Sequence, residues 1–368
     1  MSLLAYAPKF GGRSVNSRTA YDGCMESNQH HSGPIVLATV ALGAQWPTLD
    51  PFLFCAHHDD DYPEGDGLLA PAASLGGRAI GQDFSDKDGW SMYHGSSVPG
   101  FPQHPHRGFE TITYCRHGYI DHSDSMGATA RFGRGDVQWM TAGGGVVHAE
   151  MFPLVNTERR NLTELFQIWL NLPAADKMVD AYFTMFWDEH VPKVELPNGG
   201  VVTLLAGSLD AETAPSPPPN SWAARDEAHI GLWHIVLPPQ TSWTIPATAE
   251  TSGRMLYLFE GNDLTVDGTS YNKDTGMQLV PDADITISAG GETTECLLMQ
   301  GTPIGEPVMQ YGPFVMNTRA EIQQAIEDYQ RTQFGGWPWE SDDPTHAPHD
   351  DRFAIHADGT KDTPPEVF

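Results

Sequence analysis

Residues Gly100–Met151 read GFPQHPHRGFETITYCRHGYIDHSDSMGATARFGRGDVQWMTAGGGVVHAEM, and the fold is decided by how they are read. Two pairs of metal-binding residue types stand at the ends, His104 with His106 and His148 with Glu150, each spaced i, i+2. Alternate side chains of an extended strand share a face, so each pair points one way if its segment is a strand. Asp124-Ser125-Met126-Gly127 and Arg134-Gly135-Asp136 carry turn chemistry. The roughly forty residues between the pairs suit two or three short strands and their turns, which fold the second pair back over the first. Three imidazoles and one carboxylate then converge on a divalent transition metal.

Outside this stretch, the totals set bounds. A chain of 368 residues favours two domains and buries sizeable cores. With 40% hydrophobic and 10% aromatic residues it is globular, and 37 glycines and 29 prolines suit many short strands joined by turns. The net charge of −28 argues against duplex DNA or an anionic membrane as partner, because both are bound through Lys and Arg. Cys24, Cys55, Cys115 and Cys296 are far apart with no C-x-x-C, which signals neither a zinc knuckle nor a disulfide scaffold. Leu3–Ala7 is too short for the apolar core of a signal peptide, and no run approaches the ~18 apolar residues of a membrane span. A cytoplasmic protein is expected.

The strings H-P-H-R-G-F-E-T and G-D-V-Q-W-M-T-A-G-G-G-V-V-H-A-E resemble the signature of the pirin family, a branch of the cupins. Asp50-Pro51-Phe52, Phe166–Leu172 and Gly312–Thr318 extend the resemblance discontinuously over most of Ile35–Gly335. It implies a mainly all-β bicupin: two tandem jelly-roll-type cupin barrels with a metal in the first only, plus a C-terminal helix. In most cupins the glutamate four residues after the second histidine, here Glu110, is a ligand. In pirins the carboxylate resembles Glu150, which leaves Glu110 in the second shell or pocket wall. Pro105 and Gly108 make a bend here plausible, so strand parity does not choose between the two glutamates.

Three imidazoles and a carboxylate suit Fe(II), Mn, Co, Ni, Cu or Zn. The resemblance tips the choice to one Fe(II). It also implies a dioxygenase acting on quercetin-type flavonols with O₂ and releasing carbon monoxide, with Glu150 as general base. The alternative is an iron-dependent, redox-sensitive binding module with a protein partner and little turnover. Phe109 and Met140 are expected in the apolar wall, and His122 is read as turn and surface structure.

The remaining expectations follow the chain. Residues 1–34, with His30-His31, drape over the barrel, and Ile35–Leu42 is a buried first strand. Residues 56–98 are an insertion beyond the family pattern, opening with His57-His58-Asp59-Asp60-Asp61 as an acidic surface loop and bordering the site mouth. Thr163–Leu172 closes the first barrel, so residues 1–188 form the metal-binding cupin. Glu189–Gly200 connects to a second cupin over 189–335, whose Ser242–Ile245 stands where a metal-bearing cupin has its H-x-H. Thr318 and Glu321 form a T-x-x-E capping box for a helix over 318–333. The acidic tail 336–368 is expected to be an extended surface arm, pinned by its aromatics on a partner subunit.

Overall fold

The computed structural model describes residues 33–365, so the readings of His30-His31, Cys24 and nearly all of 1–34 lie outside the described residues. The chain is mainly β, with two cupin-type halves and one C-terminal helix, as expected. Two six-stranded antiparallel sheets face each other in the first half. One runs Tyr182–Phe186, Val137–Thr141, Phe109–His117, Asn161–Asn171, Phe52–Tyr62, Gln45–Trp46. The other runs Lys361–Asp362, Phe353–Ile355, Thr129–Gly133, Tyr119–Asp124, Val146–Met151, Gly100–His106. The second half has a seven-stranded sheet and a four-stranded sheet.

Alternation along the strand Asn161–Asn171 divides two cores. Phe166, Ile168 and Leu170 join Ile112, Tyr257 and Met299 in an apolar cluster shared by both halves. Leu165 turns inward to a separate cluster with Phe101, Phe132 and Trp187. A period of two therefore seals the barrel on one face and welds it to its neighbour on the other.

Several expectations are corrected. The stretch beginning at His57 is no loop: Phe52–Tyr62 is one strand, and its residues 52–62 pair with Asn161–Leu170. Its acidic residues sit on a strand because alternation carries Asp61 outward and Asp60 inward, where Ser91 N and the Tyr93 hydroxyl donate to the Asp60 carboxylate at 2.8 and 2.7 Å. The rest of the inserted segment builds its own lobe on a buried Arg78–Asp83 pair (2.9 Å), with the guanidinium over Trp90. Val36–Ala41 is not a buried first strand of the first barrel. It is a largely exposed edge strand of the second half, paired with Thr275–Leu279. Lys193–Glu195, inside the expected connection, hairpins with Val201–Ala206.

The helix Arg319–Thr332 begins at Thr318 with the capping box complete, and Gln333 caps its end in the left-handed region. The tail beyond it folds onto its own first barrel: Phe353–Ile355 pairs with Thr129–Arg131. Among the described residues no helix is long and apolar enough to cross a membrane.

Candidate metal centre

The strands Gly100–His106 and Val146–Met151 pair with His104 opposite His148 and Phe101 opposite Glu150. The register shift between Phe101 and His104 is a bulge at Pro102 and Gln103, one of which has no N–H to offer the ladder. On the far side of the bulge His104 and His106 share the inner face with His148. One nitrogen from each of the three rings lies within 4.8 Å of the others. Among the described residues this is the one such group of three or more metal-ligating side chains.

Two of the rings, His106 and His148, lack the partners that buried histidines normally have. Both nitrogens of His106 and both of His148 are buried without a hydrogen bond, an arrangement that is costly unless a ligand satisfies them. Burial holds both rings well below the usual histidine pKa, and it brings His104 down to about 4. All three are neutral at pH 7, the form that binds metal. His104 Nδ1 lies 2.9 Å from the Pro102 carbonyl, which can only accept, so the lone pair sits on Nε2. The donor set, the orphaned nitrogens and the burial all fit a divalent transition metal.

Glu150 lies beside the triad, its Oε2 3.8 Å from His148 Nε2. Gln167 donates to that oxygen at 2.6 Å and Thr113 to the other at 3.3 Å. Burial raises its pKa, an effect opposed by His122 and these hydrogen bonds. His122 is corrected from surface turn to barrel interior. It is fully buried, its ring stands 5.5 Å from that of His148, and its Nε2 pairs with Asp124 at 3.2 Å. The strand pairing His122↔Glu150 and Asp124↔His148 puts these four on one face, and the i, i+2 spacing of His122 and Asp124 was the signal missed.

Glu110 is corrected too. Gly108, at φ 84° with its backbone against the Val315 carbonyl, bends the chain after His106 and reverses parity. Phe109 therefore turns inward, its ring 5.1 Å from His106 and stacked on Trp169 at 3.9 Å. Glu110 faces away with Ile112 and Tyr114, toward the second half. Thr141 Oγ1 donates to it at 2.5 Å, the Ser221 hydroxyl donates as well, and burial raises its pKa to about 7. Met140 packs with Ala142 and Val146, the residue opposite His106.

Three further groups brace the site. Arg107, next to His106, donates to the Gly144 carbonyl (2.7 Å) and to Asp328 of the helix (2.9 Å), with Phe334 under its guanidinium. Gly145 stands at φ 137°, where a Cβ would strike the Phe334 ring at 2.5 Å. Lys177, buried, donates to the Gly108 carbonyl and to Asn171, each at 2.7 Å.

A cleft of about 480 Å³ opens along the strand Phe52–Tyr62; the three histidines do not line it, and two residues link it to them. Gln167 and Phe101 line it, the first bonded to Glu150 and the second with its ring 6.3 Å from that of His104. Phe84, Asp86, Ser91 and Tyr93 of the inserted segment form one wall, so the insertion borders the mouth. The volume is that of a small-molecule site.

The pirin family profile matches residues 37–170, and the pirin C-terminal cupin domain profile matches 232–335. A Pseudomonas aeruginosa protein named "Putative quercetin 2,3-dioxygenase" is 36% identical over 239 residues, covering 63% of this chain and 79% of that one. A pirin-like protein of Solanum lycopersicum is 35% identical over 274 residues, covering 73% and 87%. The crystal structure of quercetin 2,3-dioxygenase from Acinetobacter baumannii is similar with a TM-score of 0.65 at 26% identity, covering 82% of this chain and 98% of that one.

Proposed function

This chain belongs to the pirin family, and from that premise we propose a metal-dependent dioxygenase that cleaves quercetin-type flavonols or related phenolics in its first barrel. The observation that carries the reading is the set of unpartnered, buried nitrogens of His106 and His148, with an aromatic-walled cleft linked to the site through Gln167 and Phe101. The names of the similar Pseudomonas and Acinetobacter proteins support the substrate class. His104, His106, His148 and Glu150 would hold one divalent metal, with Fe(II) the choice that the family resemblance favours. When bound, such an ion supplies a Lewis acid for a substrate hydroxyl and, as iron, redox capacity toward O₂.

The chain's own groups do the rest. Glu150, held by Gln167 and Thr113 in a buried setting that raises its proton affinity, takes the proton of the incoming hydroxyl. Phe101, Tyr93 and Phe84 pack together, exclude water and offer a planar ring one aromatic wall. The net conversion adds O₂ to the flavonol and expels one carbon as carbon monoxide.

The test is anaerobic loading with Fe(II), followed by quercetin in air. The flavonol absorbance falls with the wild type and persists with His106→Ala. A loaded protein that leaves every flavonol and catechol intact overturns the enzyme reading.

A further inference from the structure

We infer that His58 is the specificity-determining contact that receives a hydroxyl group of a flat aromatic substrate, with Tyr93 and Phe101 holding the ring; the inference rests on the substrate class proposed above. The argument begins with alternation on Phe52–Tyr62. Ala56 pairs with Gln167 and Phe54 with Trp169, and both partners face inward, Gln167 to Glu150 and Trp169 to His106. His58 therefore points into the same interior, from the sheet that faces the triad's sheet.

The two adjacent histidines have opposite fates. His57 is satisfied on the outer face: its Nε2 bonds Glu164 at 3.0 Å, and its ring stacks on Phe166 at 4.5 Å. Both histidines line the cleft, but His58 meets rings there: Tyr93 edge-to-face at 4.8 Å, Phe101 at 5.7 Å and Phe152 at 6.2 Å. Among the described residues no protein group hydrogen-bonds its nitrogens. Burial, and then the neighbouring His57, bring its pKa down to about 3, so it is neutral and offers one N–H and one lone pair. That pair matches a hydroxyl, which donates and accepts.

Two other polar groups of this wall are engaged, while the Asp59 and Asp86 carboxylates stand exposed at its rim. The Tyr93 hydroxyl is committed to Asp60, and Ser91 Oγ accepts from Asp86 N. Tyr93 itself sits at φ 54°, a strained conformation for a bulky residue, and the paired bridge with Asp83 fixes it there. The strain is spent where the ring stacks on Phe101 at 5.1 Å, forming one side of a slot whose polar end is His58.

The experiment uses metal-loaded full-length protein without air. Tryptophan fluorescence follows binding of quercetin and of flavone, the same ring system without hydroxyls. H58F is expected to weaken quercetin at least about tenfold, with flavone affinity and metal content unchanged; H58Q, which keeps a donor and an acceptor, restores most of the loss. Should H58F not fold, H58L carries the same expectation. Wild-type affinity for quercetin in the substituted protein overturns the role of His58 alone. A wild type that binds neither compound overturns the substrate class, and the inference falls with it.

Discussion

At His106 and His148 the interior leaves four nitrogen positions without a protein partner, and a ligand accounts for them better than packing does. His106→Ala is expected to lower bound metal at least about tenfold in elemental analysis of protein grown in iron-supplemented medium. Gln167→Leu leaves the ligand rings in place but removes the donor that steadies Glu150. A loss of about 10–100-fold in turnover, with the fold intact by circular dichroism, is the expected result. The histidine pairs could be read in the sequence because strand parity survives between i and i+2. Glu110 could not, because one glycine in the left-handed region after His106 inverted the parity of everything that followed. His122 was hidden by its closeness to a strong turn signal, and His58 by its place in a run of charged neighbours.

At the scale of elements, the last strand is the most exposed to test. Arg131 and Asp121 form a fully buried pair at 2.7 Å, and the tail completes it: Arg131 donates to the carbonyls of Ala347 and Asp350, and His346 N donates to Asp121. Truncation after Gly336 removes the tail's hydrogen bonds to this pair, which stays paired with itself, and bares the edge of Thr129–Gly133. A destabilisation on the order of 3 kcal/mol is expected from denaturant titration. The C-terminal helix was readable from its capping box and apolar spacing, because those signals are local. The strand from His57 to Asp61 was not, since acidic residues disfavour strands and only pairing with Asn161–Leu165 overrides that preference.

For the molecule as a whole, the shared core predicts one calorimetric unfolding transition instead of two, because neither half buries Ile112, Phe166, Tyr257 and Met299 alone. Glu110 lies in the seam with Ser221, and its folded pKa of about 7 is above the ordinary carboxyl value. Its contribution is therefore full at low pH and is lost as pH rises through about 7. Glu110→Gln is expected to match the wild type near pH 4 and to be more stable at pH 8, by on the order of 1–3 kcal/mol. Equal differences at both pH values would refute that reading. Two barrels were foreseeable from motif and strand spacing. The exchange of ends, with Val36–Ala41 on the second half and Phe353–Ile355 on the first, was not, because a strand's own letters do not name its partner. Arg107, the neighbour of His106, is secured by Asp328, 221 residues downstream. During translation the H-P-H strand thus leaves the ribosome long before its brace exists. Stalled nascent chains ending before Asp328 are therefore expected to bind a divalent metal more weakly than the released polypeptide.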